Sequence, residues 1–532
     1  MTRKRKIALV FTGGVSLGSF EAGVAYEIVK HILENAYPRL EIDVIAGASA
    51  GALTGALTAL TLVYGIDPAI IGEAWMEVKL EDLLILSRGE RSLLSGNKVE
   101  KLIEKYLCPP AVGSIKYPSH YDSVSFVAVT TNLEGIKYRI HTARTDEFSI
   151  SAVSYEDALK FRVYSEFSQW KELRDAVRAS SAFPVAFEPK AITRLENDFP
   201  RVSKYNFTLE KGKRPYHYSD GGIVNNQPLN KAIEMVSELP DNNPGEDYER
   251  VFLVVDPAPP GEESWSGNSD AFDVAARAIW TIPRNQTLYK DLLLLEKVNR
   301  RIQWKNSFVN AMADLWNSQK IPQEKAGVLD GLCKEVAWFK GQKILDIDPG
   351  TYLDAEKKRI GNLYRNEIAQ VENRDLFIKY CYLLEQVADL RNKQDITVEM
   401  ISPRNAEKEL AGVIFGNFGG FLGSGFMKHD YNVGCTYARR WLKKERELDK
   451  LVICSEERLP IKINKKIIQK LLDNSVPLLM EDLGPRLFGM RPDLPGKEIG
   501  RLTLLRMFTV SLGKYFVNRT INWTKRSVAL NR

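Results

Sequence analysis

Long apolar runs are what this chain most conspicuously lacks. No stretch reaches the ~18–20 uninterrupted apolar residues that a membrane span requires, so any contact with a bilayer is expected at its surface. Cysteine and histidine are scarce too, at five each, and Cys108, Cys333, Cys381, Cys435 and Cys454 are scattered without a C-x-x-C pair. That arrangement excludes both a disulfide framework and a zinc ribbon. With no metal-ligand spacing among the His and Cys residues, no metal and no cofactor are expected. The chain is also without a strong charge excess. Lys and Arg total 74 against 68 Asp and Glu, a net +6 that does not call for a nucleic-acid partner. A reducing, cytoplasmic setting is the expectation, with attachment peripheral to the inner face of a membrane. The basic Met1–Lys6 start resembles a signal-peptide n-region, but the apolar run after it is too short for an h-region.

What is present is the composition of an ordinary folded protein, 44% hydrophobic and 27% charged, in 532 residues. That length exceeds the ~250–300 residues served by one hydrophobic core, so two or three units are expected. Ile7–Phe11 reads as a buried parallel strand running into Thr12-Gly13-Gly14. A helix follows with Phe20, Val24, Ile28 and Ile32 on one face, then the strand Ile42–Ala46, completing a βαβ unit. Ala52–Val63 has almost no polar face and must be a buried helix. Further strands are predicted at Val124–Val129, Tyr216–Ser219 and Val251–Val255, giving a mainly parallel sheet covered on both sides that closes near Pro260. The polar, glycine-rich Pro260–Ser269 marks a boundary. Beyond it, Ala275–Asn392 is charged and helix-prone, Ala411–Lys428 is rich in Gly and Phe, and Tyr437–Arg446 reads as another helix. The expected domains are therefore 1–260, an α/β core; 261–400, a helical insertion that could serve as a lid; and 401–532, a helical extension with a basic tail.

Three segments carry chemistry. Gly47-Ala48-Ser49-Ala50-Gly51 fits G-x-S-x-G between an apolar strand and a buried helix, the setting in which a serine Oγ projects from a sharp turn. Bare small residues at a tight βα turn would fit the same pattern. Thr12-Gly13-Gly14-Val15-Ser16-Leu17-Gly18 again joins strand to helix, and its backbone N–H groups can converge on an anion. The spacing is neither G-x-G-x-x-G nor a P-loop, which disfavours a nucleotide. Ser219-Asp220-Gly221-Gly222 places an Asp at a strand end with room to approach a serine, where burial would raise its pKa.

Together with Ala179-Ser180-Ser181-Ala182-Phe183-Pro184, these segments, in this order over roughly residues 7–260, resemble the patatin-like phospholipase family. The resemblance implies a three-layer α/β/α fold and a Ser-Asp dyad, with Ser49 as nucleophile and Asp220 as general base. It places the oxyanion hole at Gly13, Gly14 and Val15 and makes Gly47 and Gly51 the glycines of the elbow. The reaction implied is hydrolysis of carboxylic esters in phospholipids or other glycerolipids through an acyl-enzyme, independent of calcium. Acyl transfer or thioester hydrolysis by the same dyad, and a weakened lipid-binding or regulatory protein, stay open beside it. The family loop usually reads Gly-Gly-Gly-x-Arg/Lys-Gly. Here Val15 stands for the third glycine and Leu17 for the basic residue, and a β-branched Val is expected to resist φ > 0.

Among the five histidines, His217 lies three residues from Asp220 and should face away from it; His31, His120 and His141 read as packing or solvated residues, and His429-Asp430-Tyr431 as a packing and docking element. Asn132 reads as a turn cap. In the tail, Leu505, Phe508, Leu512 and Phe516 recur at helical spacing among Arg506, Lys514 and Arg519, a pattern shared by basic helices on anionic lipid and by a terminal helix packed on a core. Oligomeric state leaves no mark in the sequence.

Overall fold

The computed structural model describes residues 4–444, apart from 35–39, 91, 111–114, 120, 142–148, 196–197, 200–206, 210–213, 240–247, 259–281, 319–323, 339–347, 388–395 and 414–416. The 260–269 boundary, His120 and the basic tail lie outside the described residues.

The apolar strand β1 (Lys4–Phe11) is the centre of the sheet, pairing in parallel with β2 (Leu40–Ala48) on one side and β8 (Tyr248–Val255) on the other. β3 (Ser123–His141) continues the parallel array beyond β2. Past β3 the sheet turns antiparallel: β4 (Ser149–Tyr164), β6 (Phe207–Leu209) and β7 (Arg214–Asp220) pair with β3, and β5 (Lys190–Arg194) with β7. The ninth strand, β9 (Thr397–Ile401), lies parallel to β8 at the opposite edge.

Both faces of this sheet are covered, which is why β1 is an unbroken apolar run and not an alternating one. Ile7, Leu9 and Phe11 face a large core built with α1 (Gly18–Leu33) and α2 (Ala50–Tyr64). Ala8 and Val10 face the other way, against Leu229, Ala232 and Met235 of α7 (Leu229–Glu238). The layers are thus α/β/α. From Ala50 to Val63 every residue of α2 is buried, as its lack of a polar face demands. Between these elements run α3 (Ala69–Met76), α4 (Leu80–Leu83), α5 (Gly96–Tyr106) and α6 (Trp170–Ser180).

The core does not close at residue 260. β9 extends the sheet, and the helix Ser424–Lys444 lies along α1 so closely that Cβ atoms added at Gly23 and Gly434 would fall 2.0 Å from the Tyr431 carbonyl oxygen and 2.1 Å from that of Phe20. Backbone meets backbone there, so β9 and the helix Ser424–Lys444 pack as part of the same layered unit, and a border at 400/401 cuts through it. Between β8 and β9 the chain forms the helices Ile282–Ser318, Glu324–Ala337, Pro349–Leu363, Arg365–Ala369 and Arg374–Val387. These have a core of their own around Ile360, Phe377, Cys381 and Tyr382. Inside it Lys305 Nζ meets Glu385 at 3.1 Å, and Arg359 and Tyr364 also bond that carboxylate.

Candidate active site

The residues singled out by sequence meet at the carboxyl ends of the parallel strands, where the loops leaving an open α/β sheet form a crevice. β1 delivers the Gly13–Ser16 loop, β2 delivers Ser49, and β7 delivers Asp220, registered opposite Thr130 of β3.

Ser49 sits at φ 55°, ψ −125°, a conformation that costs a non-glycine residue roughly 1–3 kcal/mol and persists only where the surroundings enforce it. The enforcement is visible. Ser180 Oγ accepts from the Ser49 N–H (2.9 Å) and donates to the Val129 carbonyl (2.6 Å), while Ser181 Oγ donates to the Ser49 carbonyl (3.2 Å). The elbow glycines are needed for close approach: a Cβ at Gly47 would lie 2.4 Å from the Gly51 carbonyl oxygen, and one at Gly51 would lie 2.6 Å from that of Phe11. Sequence reading quoted Ala179–Pro184 as a motif without a role for its serines. The structure supplies one, that of holding the strained turn from both sides.

Ser49 Oγ donates to Asp220 Oδ2 at 2.5 Å. The carboxylate is buried and is pushed up to about 7, chiefly by desolvation; the bonds from Ser49 and from the Gly222 N–H to Oδ1 (2.7 Å) pull the other way and do not offset it. Its backbone is tied to Ala182 and to Thr131. No histidine stands between the two groups. His217 points outward and meets Glu134 at 2.7 Å, as the alternation of a strand requires. His429 contacts the Glu409 carbonyl (2.9 Å). Asn132 caps a turn, accepting from the N–H groups of Glu134 and Gly135.

The Gly13–Ser16 loop differs from expectation in its ties and in its backbone. The Gly13 N–H donates to the Asn226 carbonyl (3.0 Å), and Asn226 Nδ2 returns a bond to the Gly13 carbonyl (3.2 Å). Gly13 is therefore a joint between the loop and the Asp220 turn. A Cβ there would lie 2.1 Å from Asn226 Oδ1 and 3.0 Å from Ser49 Cβ, so the loop rests directly against the serine. Val15, expected to resist positive φ, adopts φ 55°. The tertiary fold overrides the local preference, and the backbone shape of a glycine loop is kept. Gly14 and Val15 then open a short helical turn, Val15–Leu17, whose first N–H groups have no intrahelical acceptor; Ala50 stands in the same position at the start of α2. One further tie crosses the site: Asp256 accepts from Thr12 Oγ1 (3.2 Å) and from Gln227 Nε2, locking both loops to the end of β8.

Among the described residues no group of three or more His, Cys, Asp or Glu could hold a metal ion, and no helix is long and apolar enough to cross a membrane. A sequence model of the patatin-like phospholipase family matches residues 9–233. An uncharacterized membrane protein of Mycobacterium tuberculosis is 26% identical over 308 residues, which are 48% of this chain and 28% of that relative. This chain therefore spans only about 28% of its relative's length. Among solved structures, VipD from Legionella pneumophila aligns over 82% of this chain and 67% of its own at 11% identity, with a TM-score of 0.26.

Proposed function

Residues 9–233 form a patatin-like phospholipase domain, and on that premise we propose that the protein is a lipid acyl hydrolase that cleaves carboxylic esters of phospholipids or related glycerolipids through a Ser49-Asp220 dyad. The observation that carries this reading is the 2.5 Å bond from a strained, buried serine to a buried carboxylate with no histidine between them.

Ser49 Oγ attacks the ester carbonyl carbon as its proton passes to Asp220 Oδ2. The oxyanion that forms lies against the N–H groups of Gly14, Val15 and Ala50, each of which is worth ~2.7–4 kcal/mol of transition-state stabilisation when aimed correctly. Collapse of the tetrahedral intermediate expels the alcohol, which takes the proton from Asp220 and leaves the fatty acyl group on Ser49. Water then attacks the acyl-enzyme with Asp220 accepting its proton, the fatty acid leaves and Ser49 Oγ is reprotonated. Asp220, raised by burial, is basic enough for this near neutrality. The reading of a protein with weakened chemistry rested on Val15 and Leu17; the φ of 55° at Val15 answers the first, while Leu17 still puts no basic side chain in the loop.

The test is fatty-acid release from mixed phospholipid vesicles in chelator by the wild type, Ser49→Ala and Asp220→Asn, with intact-mass detection of the acyl adduct. Release that both substitutions abolish supports the dyad. Absence of release and adduct from the wild type, with all three proteins folded, refutes it.

A further inference from the structure

We propose that residues 410–413 and 417–430, beyond the matched domain, are a working part of the active site, with Ser16 and Asp430 as positioning residues that hold the Val15–Ser16 turn in donor geometry. The proposal rests on the reading of the site given above.

The Ser16 hydroxyl is fully buried and is gripped by residues beyond the stretch 9–233. Its Oγ donates to the Asn417 carbonyl and accepts from the Gly420 N–H (2.9 Å), while its carbonyl accepts from Ser19 Oγ (3.0 Å). The two glycines that flank it leave no spare room. A Cβ at Gly420 would lie 2.7 Å from Ser16 Oγ, and one at Gly412 would lie 3.0 Å from the same atom and 2.8 Å from Leu17 Cδ2. Asp430, on the helix that lies along α1, fixes this loop at its base. Its two carboxylate oxygens accept separately from the N–H groups of Ala411 (2.6 Å) and Gly412 (2.9 Å). The Gly419 N–H then returns to the Gly412 carbonyl (3.1 Å) and closes the loop on itself. On the other side of the site, the Phe418 ring packs edge-on against Phe183 of the Ala179–Pro184 segment, centroids 5.6 Å apart. The segment thus reaches from the oxyanion loop to the loop that holds the elbow.

A catalytic consequence follows from the strain at Val15. A valine at φ 55° persists only if its neighbours over-determine it, and the residue after it is the one that this segment clamps. Asp430 is a carboxylate kept fully buried with only two N–H partners, and burial pushes it up to about 7. A group so costly to bury is retained here at the base of the clamp.

Ser16→Ala removes the hydroxyl and its two bonds without adding volume. Asp430→Asn replaces one acceptor by an amide N–H that faces an N–H. Displacing a catalytic group by about 1 Å costs on the order of 10²-fold, so kcat on a short soluble ester should fall roughly 10–100-fold in each variant, with KM within about twofold. Melting temperature and fluorophosphonate labelling of Ser49 are followed alongside. Variants that are folded at the assay temperature and keep wild-type kcat overturn the proposal, as does a fall in melting temperature alone. If Asp430→Asn does not fold, Ser16→Ala decides. A wild type that neither labels nor hydrolyses removes the dyad reading and this one with it; an active wild type beside fully active variants removes this one only.

Discussion

Asp220→Asn should make the protein more stable and nearly inactive, with both effects governed by one titration. The folded carboxyl is pushed from its ordinary 3.8 up to about 7. A carboxyl whose folded pKa is raised gives up stability as pH climbs: nothing is lost below about pH 4, the loss grows between about 4 and 7, and it is complete above 7. At ~1.36 kcal/mol per pKa unit, the full difference is about 4 kcal/mol, with the bonds from Ser49 and Gly222 already counted in the shift. Asparagine is neutral at every pH, and its amide can present Oδ1 to the Gly222 N–H and Nδ2 to Ser49 Oγ, which as a hydroxyl can accept. The variant should match wild type near pH 4 and melt higher at pH 8, by on the order of 5–10 °C. Activity should move the other way. Wild-type kcat should rise with pH along a limb of unit slope near 7, because only ionised Asp220 can take the Ser49 proton. Loss of the general base should lower kcat by ~10²–10⁴-fold and erase that limb. Thermal melts at pH 4, 6 and 8, with a pH–rate profile on a soluble ester, make the test. A variant that melts lower than wild type at pH 8, or keeps the same acid limb, would refute the reasoning.

Ser180→Ala should leave the Ser49 N–H and the Val129 carbonyl unpaired in a buried site, at about 1–3 kcal/mol each, and loosen the elbow; equilibrium unfolding and kcat should both fall, and an unchanged kcat would separate elbow geometry from Ser180. Lys305→Met should destabilise the helical unit by up to ~3 kcal/mol by stripping one of the three bonds from buried Glu385, without changing kcat at temperatures where the variant is folded, as read by melts and ester hydrolysis. Deleting residues 501–532 should weaken binding to anionic liposomes if the basic tail lies on lipid, and unchanged sedimentation with vesicles would assign that segment to packing instead.

The fold was legible where one local signal had one physical meaning. Ile7–Phe11 could only be a strand buried on both faces, and Ala52–Val63 could only be a helix without a wet side. That Ser49 and Asp220 would meet was legible from the family resemblance and from an elbow that needs small residues at fixed offsets, and Gly47 and Gly51 are where backbone meets backbone. β9 was not legible. Thr-Val-Glu-Met-Ile is five residues at a sheet edge, with Met400 exposed and Glu399 reaching Arg5 and Trp441, so it has none of the apolar continuity of β1. The tie from Gly13 to Asn226 was hidden for a different reason: a glycine that supplies an N–H to an oxyanion and one that admits Asn226 look the same in sequence. Val15 misled because a propensity of a few kcal/mol was set against a tertiary environment holding Ser16 by several bonds. The Gly and Phe content of 411–428 was noticed, but its target lies some four hundred residues away, and no local pattern points there.

The proposed Ser49–Asp220 dyad, having no histidine, asks more of the fold than a triad does. An imidazole titrates near neutrality on its own, whereas a carboxylate must be brought there by removing water. Everything around Asp220 serves that end: Gly221 packs so tightly that a Cβ would lie 2.1 Å from the Val129 carbonyl oxygen, and Gly222 provides a single N–H. More donors would have stabilised the anion and returned the group to its ordinary range, leaving a weak base. The two loops beside it must then be tied to something other than Asp220, and they are. Asn226 joins Gly13, Gln227 and Thr12 share Asp256, and Ser180 and Ser181 hold Ser49. Polar ties are concentrated on the residues next to the reacting groups and kept sparse on the carboxylate itself. This division lets one site be rigid and still contain a base poised near pH 7.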